Sequence, residues 1–274
     1  MKALVFIIIA FLSFDIMAQK KDINIVIRGD DMGYSHNANL ACIQAYQEGV
    51  MSSVEVMAVT PWFMEAVVTC NENPGLDAGL HLALTSEWTG LKWRPLSHAP
   101  SLTDTNGYFY PMIWPNNEYP EEALYKKEWV LEEIEKELRT QIELTKKHIP
   151  HLSHLTTHMG FPSIHESVEQ LVNDLAKEYE LIYNPTLKRA NYHELEKDNN
   201  YVRAFCDMLL NLEKGDYLFV DHPGINNDEA KAIYLYGNDQ VHIQRQGVTN
   251  ALTSECAQQI IQERNIGVIG YNDL

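Results

Sequence analysis

The sequence predicts an α/β fold: a parallel sheet forming a closed or nearly closed barrel within one domain. Three observations carry that prediction. Short apolar runs of strand length alternate with stretches of helical spacing over about 250 residues. No internal repeat and no linker-like stretch interrupts the alternation. Asp30-Asp31, His81, His158 and His222 each fall at or near the carboxyl end of a predicted strand, the face where barrel active sites gather.

Composition narrows the class. The 274 residues are long enough to bury a full core without covalent staples. A balance of 38 acidic to 21 basic residues, net charge −17, argues against a nucleic-acid partner, which needs a concentrated basic face. With 14 glycines and 11 prolines in mixed sequence, collagen-like, coiled-coil and low-complexity classes are excluded. Four cysteines are too few for a disulfide scaffold. An acidic globular enzyme remains.

Met1-Lys2 precedes a run from Ala3 to Phe14 that contains no charge, and Met17-Ala18-Gln19-Lys20-Lys21 follows it. A basic start, an apolar stretch of about a dozen residues and a small residue before a polar turn read as a secretory signal ending at Ala18. The run is shorter than the roughly 20 residues that span a bilayer. Export to the periplasm or beyond is expected, with residues 19–274 as the mature chain and no membrane span in it.

Ile23 to Ile27 reads as a buried strand leading into Asp30-Asp31-Met32-Gly33. Asn37 to Glu48 has helical spacing, with Leu40, Cys42, Ile43 and Tyr46 available for an inner face, and Gly49 stops it. Val50 to Val59 reads as a second strand, Trp62 to about Asn71 as a helix, and Gly79 to Leu84 as a third strand carrying His81. From Thr85 to about Pro120 prolines, tryptophans and turn pairs break the pattern, as a loop-rich insertion would. Glu121 to about His148 reads as the longest helix, with Val130, Ile134, Leu138 and Ile142 spaced by four. Then follow strand Leu152–Thr157 ending at His158, helix Glu166–Glu178, a short strand Leu181–Tyr183, strand Tyr217–Val220 ending at Asp221-His222-Pro223-Gly224, helix Ser254–Arg264 and strand Ile266–Ile269.

Cys42, Cys70, Cys206 and Cys256 are widely spaced and form no C-x-x-C, which speaks against a zinc knuckle. Each reads more readily as a small buried apolar residue than as half of a bridge, and the spacing sets no pairing.

Taken singly, the polar residues have ordinary explanations. Asp-Asp-x-Gly makes a turn, a histidine in an apolar strand is commonly a core residue, and His-Pro-Gly is a natural turn. Their convergence at the strand ends of one fold decides otherwise. Asp31, His81 and His158 make an Asp-His-His set for a divalent ion, with positions left open for water and substrate. Two imidazoles and one carboxylate suit zinc, while an oxygen-rich open site also holds magnesium or manganese. Such an ion acidifies water and polarises a carbonyl, as hydrolysis of an amide or ester requires. Asp30 is placed to act as general base, and His222 to protonate the leaving group or steady the oxyanion. His36, His151, His154 and His165 read as structural or surface residues.

At these residues the sequence resembles the YdjC-like carbohydrate deacetylases, the family of chitooligosaccharide deacetylases. The matching pieces are Asp30-Asp31-Met32-Gly33, Gly79-Leu80-His81-Leu82 with Leu84-Thr85, Ser153 through Gly160, and His222-Pro223-Gly224. The resemblance implies an irregular α/β barrel that hydrolyses N-acetyl groups on sugars with a divalent metal. It implies Asp31, His81 and His158 as metal ligands, Asp30 as base and His222 as a second active-site residue. One departure stands out: many relatives carry Asp-Ser-His where this chain has Thr156-Thr157-His158, so a carboxylate that would orient a ligand or substrate is missing. Trp88, Trp93, Trp114, Tyr108 and Tyr110 in the insertion offer ring faces to a glycan, although packing onto the barrel accounts for each one alone. A different metal-dependent glycan hydrolase or esterase, and a sugar-binding protein without turnover, are the alternatives.

Overall fold

The first strand sets the frame. Ile23–Met32, β1, is buried at all ten positions, as a strand covered on both faces must be. It runs five residues past the apolar stretch, because its backbone pairing continues on both sides, as far as Gly29 opposite Asp221 and as far as Met32 opposite Val56. Asp30 and Asp31 therefore lie inside the end of the strand. The computed structural model describes residues 21–192 and 200–274; the expected signal segment lies outside the described residues.

The other strands are β2 (Ser53–Val56), β3 (Asp77–Leu82), β4 (His154–Thr157), β5 (Lys188–Arg189), β6 (Gly215–Asp221) and β7 (Gly267–Val268). The helices are α1 (His36–Gln47), α2 (Phe63–Glu72), α3 (Leu131–His148), α4 (Glu166–Glu178), α5 (Tyr201–Asn211), α6 (Asp228–Ala232), α7 (Val241–Leu252) and α8 (Glu255–Glu263). All strand pairings are parallel, in the order β4-β3-β2-β1-β6-β5, with β7 against the start of β1. The sheet is curled: Leu155 and Thr157 of β4 and Arg189 of β5, from its opposite ends, line one cavity of about 470 Å³ together with Arg28 of β1 and Val220 of β6. The result is the predicted (β/α) barrel, irregular at the seam between β4 and β5.

Several expected elements change. Leu181–Tyr183 is not a strand; Ile182 makes a single parallel bridge to His154 in the seam, and Asn184, with φ of 48°, turns the chain away. The long helix begins at Leu131 rather than Glu121. Leu124 and Tyr125 instead donate backbone hydrogen bonds to Met112 and Ile113, and Leu124 is fully buried. Tertiary pairing outweighs helix propensity there. Val130 and Leu40, assigned to inner faces, are 41% and 42% exposed. Helices α5, α6 and α7 occupy a stretch where no periodicity was read.

Two buried side chains of α3 hold the insertion and the end of β3 that leads into it. Glu137 accepts hydrogen bonds from the backbone N–H groups of Leu96 and Ser97 (3.0 and 2.8 Å), and Gln141 pairs with both backbone groups of Ala83. The second contact clamps the exit of β3, the strand that carries His81. Trp88 and Trp93 are buried, as packing onto the barrel requires, whereas Trp114 is exposed and lies against Tyr125. Cys206 of α5 and Cys256 of α8 form a disulfide, where the sequence favoured small buried apolar residues and set no pairing; Cys42 and Cys70 are buried free thiols. Among the described residues no helix is long and apolar enough to cross a membrane.

Candidate metal centre

Neighbouring side chains on a regular strand point to opposite faces, yet Asp30 and Asp31 line the same cavity of about 500 Å³. The backbone explains this. Between Gly29 and Met32 the register against β2 slips, so β1 carries one extra residue, and Asp31 sits at φ of 66°. A left-handed, non-glycine residue in a bulge is strained, and such strain collects at functional sites. Gly33, at φ of 105°, completes the turn and donates its N–H to Asn39 Oδ1.

Three donors meet beneath the cavity. Asp31 Oδ1 lies 3.2 Å from His158 Nδ1 and 3.6 Å from His81 Nε2. One ligand atom from each residue falls within 4.8 Å of the others, and all three residues are buried. Asp31 Oδ1 itself is buried and has no hydrogen-bond partner among the described residues. A buried carboxylate oxygen is costly without a partner, and a divalent ion would supply one. The donor set therefore fits a metal.

The surroundings hold these groups in place. His158 Nε2 donates to Glu87 Oε2 at 3.1 Å, which leaves Nδ1 facing Asp31. Met159 and Gly160, both at positive φ, turn the chain sharply after His158. Arg245 Nη2 donates to Asp31 Oδ2 at 2.9 Å, and its guanidinium lies 4.8 Å from the ring centres of both Tyr34 and Trp88. Arg28 grips Asp30 with two hydrogen bonds, 2.7 and 3.0 Å, and donates a third to the Tyr271 hydroxyl. His222 Nε2 is 3.7 Å from Asp31 Oδ2, and its side chain is 40% exposed at the mouth of the cavity.

Charge follows geometry. Burial opposes ionisation of Asp30, but Arg28, with His81 and His222, outweighs it and holds the carboxyl below its ordinary value. Asp31 is held well below that range, because His222, His158 and Arg245 overcome its burial. Burial pulls the His81 imidazole down further than Asp30 raises it, which favours a bare ring nitrogen. His158 goes the other way: Glu87 and Asp31 overcome burial and push it up to about 10, so without an ion the protonated ring is favoured. Desolvation at His222 is likewise outweighed, by Asp31 and the Asp221 hydrogen bond, and its pKa rises.

All five residues singled out in the sequence thus reach one cavity. His36, His151, His154 and His165 lie outside the donor set: His36 pairs with Glu65, His165 caps α4, and His154 is buried against Glu55. Arg28, Glu55, Glu87 and Arg245 were not foreseen. Only Glu55 left a signal, a lone carboxylate within the apolar strand Ser53–Val56.

The family model described as YdjC-like protein matches residues 24–263. The chain is 34% identical over 262 residues to carbohydrate deacetylase 1 of Listeria innocua, covering 91% of this chain and 99% of that protein. It is 28% identical over 268 residues to a carbohydrate deacetylase of Clostridium beijerinckii, with 91% and 99% covered. A crystal structure from Enterococcus faecalis, described as a cellobiose-phosphate cleavage protein, shares the fold with TM-score 0.70 at 21% identity, over 92% of this chain and 99% of that one. Barrel, strand-end residues and a match across nearly all described strands agree, and the chain belongs to the YdjC-like protein family.

Proposed function

We propose that this protein is an exported, metal-dependent carbohydrate deacetylase that removes acetyl groups from N-acetylated sugars or oligosaccharides. The observation that carries the reading is the buried Asp31-His81-His158 donor set beside an ionised Asp30 in an open cavity. The relatives named carbohydrate deacetylases supply the substrate class.

Asp31, His81 and His158 would hold the ion. A divalent cation there, zinc by its fit to the ligand types, would polarise the acetyl carbonyl and acidify the attacking water. Asp30, kept ionised and oriented by Arg28, accepts the proton of that water. His222, with its raised pKa, approaches from the solvent side and gives a proton to the leaving nitrogen. The carbon–nitrogen bond breaks, and amine and acetate depart. Trp88 lends one wall of the cavity an apolar ring. Two features support export: the signal-like segment ending at Ala18, and the Cys206–Cys256 bond, a type that persists in oxidising compartments.

The test is free acetate from a panel of N- and O-acetylated oligosaccharides, using metal-reconstituted protein with Asp30→Asn as control. Acetate from amide-linked substrates with wild type and none with the variant is expected. Release from ester-linked acetyls alone would make the protein an esterase. No release, with metal bound stoichiometrically, would leave a sugar-binding protein.

A further inference from the structure

Glu55 is fully buried in β2, two strands away from β4, and its two oxygens have different partners. Oε1 accepts from His154 Nε2 at 2.5 Å, and Oε2 accepts from the Thr156 hydroxyl at 2.5 Å. Thr156 Oγ1 in turn lies 2.8 Å from His81 Nδ1. A hydroxyl has one proton to give, and a carboxylate can only accept. With that proton on Glu55, Thr156 offers His81 a lone pair. Nδ1 must then carry hydrogen, which leaves Nε2 bare and facing Asp31 Oδ1 at 3.6 Å. The direction of the whole chain is set by Glu55.

We infer that Glu55 is a positioning residue of the metal centre: acting through the Thr156 hydroxyl, it fixes His81 in the tautomer that can bind an ion. A carboxylate behind a ligating histidine is the usual means of orienting the ring; here a threonine is interposed, because Thr156 on β4 and Glu55 on β2 flank the His81 strand, β3, from opposite sides. The arrangement is built rather than incidental. His154 occupies the second oxygen, so Glu55 cannot turn away, and the Tyr271 ring stacks on His154 at 3.7 Å. Gly79 passes between: a Cβ there would run into both His154 and Glu55. Tyr271 also accepts from Arg28, which holds Asp30, so one buried network steadies the general base and a metal ligand together.

The inference rests on Asp31, His81 and His158 being metal ligands, and the experiment keeps the two apart. Zn²⁺ is titrated into metal-free protein against a chromophoric chelator for wild type, Thr156→Val, Glu55→Gln and Glu55→Gln with Thr156→Asp. Thr156→Val breaks the chain. Glu55→Gln, held by His154 at its oxygen, presents an amide N–H to Thr156 and reverses the chain. Each is expected to weaken zinc binding by roughly 10–100-fold. The double variant, which puts a carboxylate directly behind His81, is expected to recover most of that loss, which a merely structural role for Glu55 does not predict. Independently, imidazole nitrogen NMR shifts of metal-free wild type are expected to show His81 protonated at Nδ1. Wild type that binds no zinc would sink the metal centre itself. Zinc bound equally by all variants, or His81 protonated at Nε2, would overturn the role of Glu55 while leaving the centre standing.

Discussion

The two sides of the barrel differ in how firmly they hold their functional groups. On the side built from β1, β3 and β4, Asp30, Asp31, His81 and His158 are at most 5% exposed. Arg28, Arg245, Thr156 and Glu87 each bond to one of them. On the β6 side, His222 is 40% exposed and meets Asp31 only at 3.7 Å. The cysteines divide the same way. Cys42 and Cys70, on α1 and α2, stay free within the core, while Cys206 and Cys256 tie α5 to α8. The difference matches the tasks assigned. Ligands crowded around one ion must be placed by the protein before it arrives, and their polar partners do that. A proton donor must reach solvent to be recharged, and His222, proposed for that role, sits at the cavity mouth.

That comparison can be broken in several ways, beginning with the largest effect. Removal of metal by chelation should abolish acetate release, and zinc should restore it; full activity in chelator would leave the rigid side without its purpose. Asp30→Asn should lower kcat by roughly 10²–10⁴-fold with zinc affinity unchanged, since the proposed ligands are Asp31, His81 and His158. An equal fall in zinc affinity would merge base and ligands into one unit. His222→Gln should lower kcat by about 10²-fold and likewise spare zinc binding, which sharpens the division if the two residues separate cleanly from the ligands.

Smaller effects concern stability. Cys206→Ser with Cys256→Ser should cost about 2–4 kcal/mol in urea unfolding without altering zinc affinity, because the bond braces helices away from the ligands. Burial pushes the Cys70 thiol up to about 12. The folded chain therefore keeps a proton that the unfolded chain releases above about 8.5, so stability is expected to fall as pH rises from there. At pH 8, neither Cys42 nor Cys70 should react with iodoacetamide until the chain is unfolded; rapid labelling of the native protein would show that this side opens.

Much of the site was legible because strand ends are marked locally. The apolar run before Asp30, the histidine in Leu80-His81-Leu82 and the His158 and His222 turns each lie within a few residues of the pattern that reveals them. The second layer was not. Glu55 and Thr156 are 101 positions apart, and Arg245 is 214 positions from Asp31. Glu121–Val130 has helical composition, yet pairs with the insertion instead.

The sequence alone determined the alternation of strands and helices, the barrel and the five residues gathered at its mouth, because periodicity and strand termination are properties of short segments. Only the tertiary structure decided that Asp30 and Asp31 share one cavity, that Glu87 and Thr156 bond to the His158 and His81 rings, and that Cys206 meets Cys256. The physical reason is that a buried polar group takes whichever partner packing brings within about 3 Å, and that partner is set by the curl and register of distant strands.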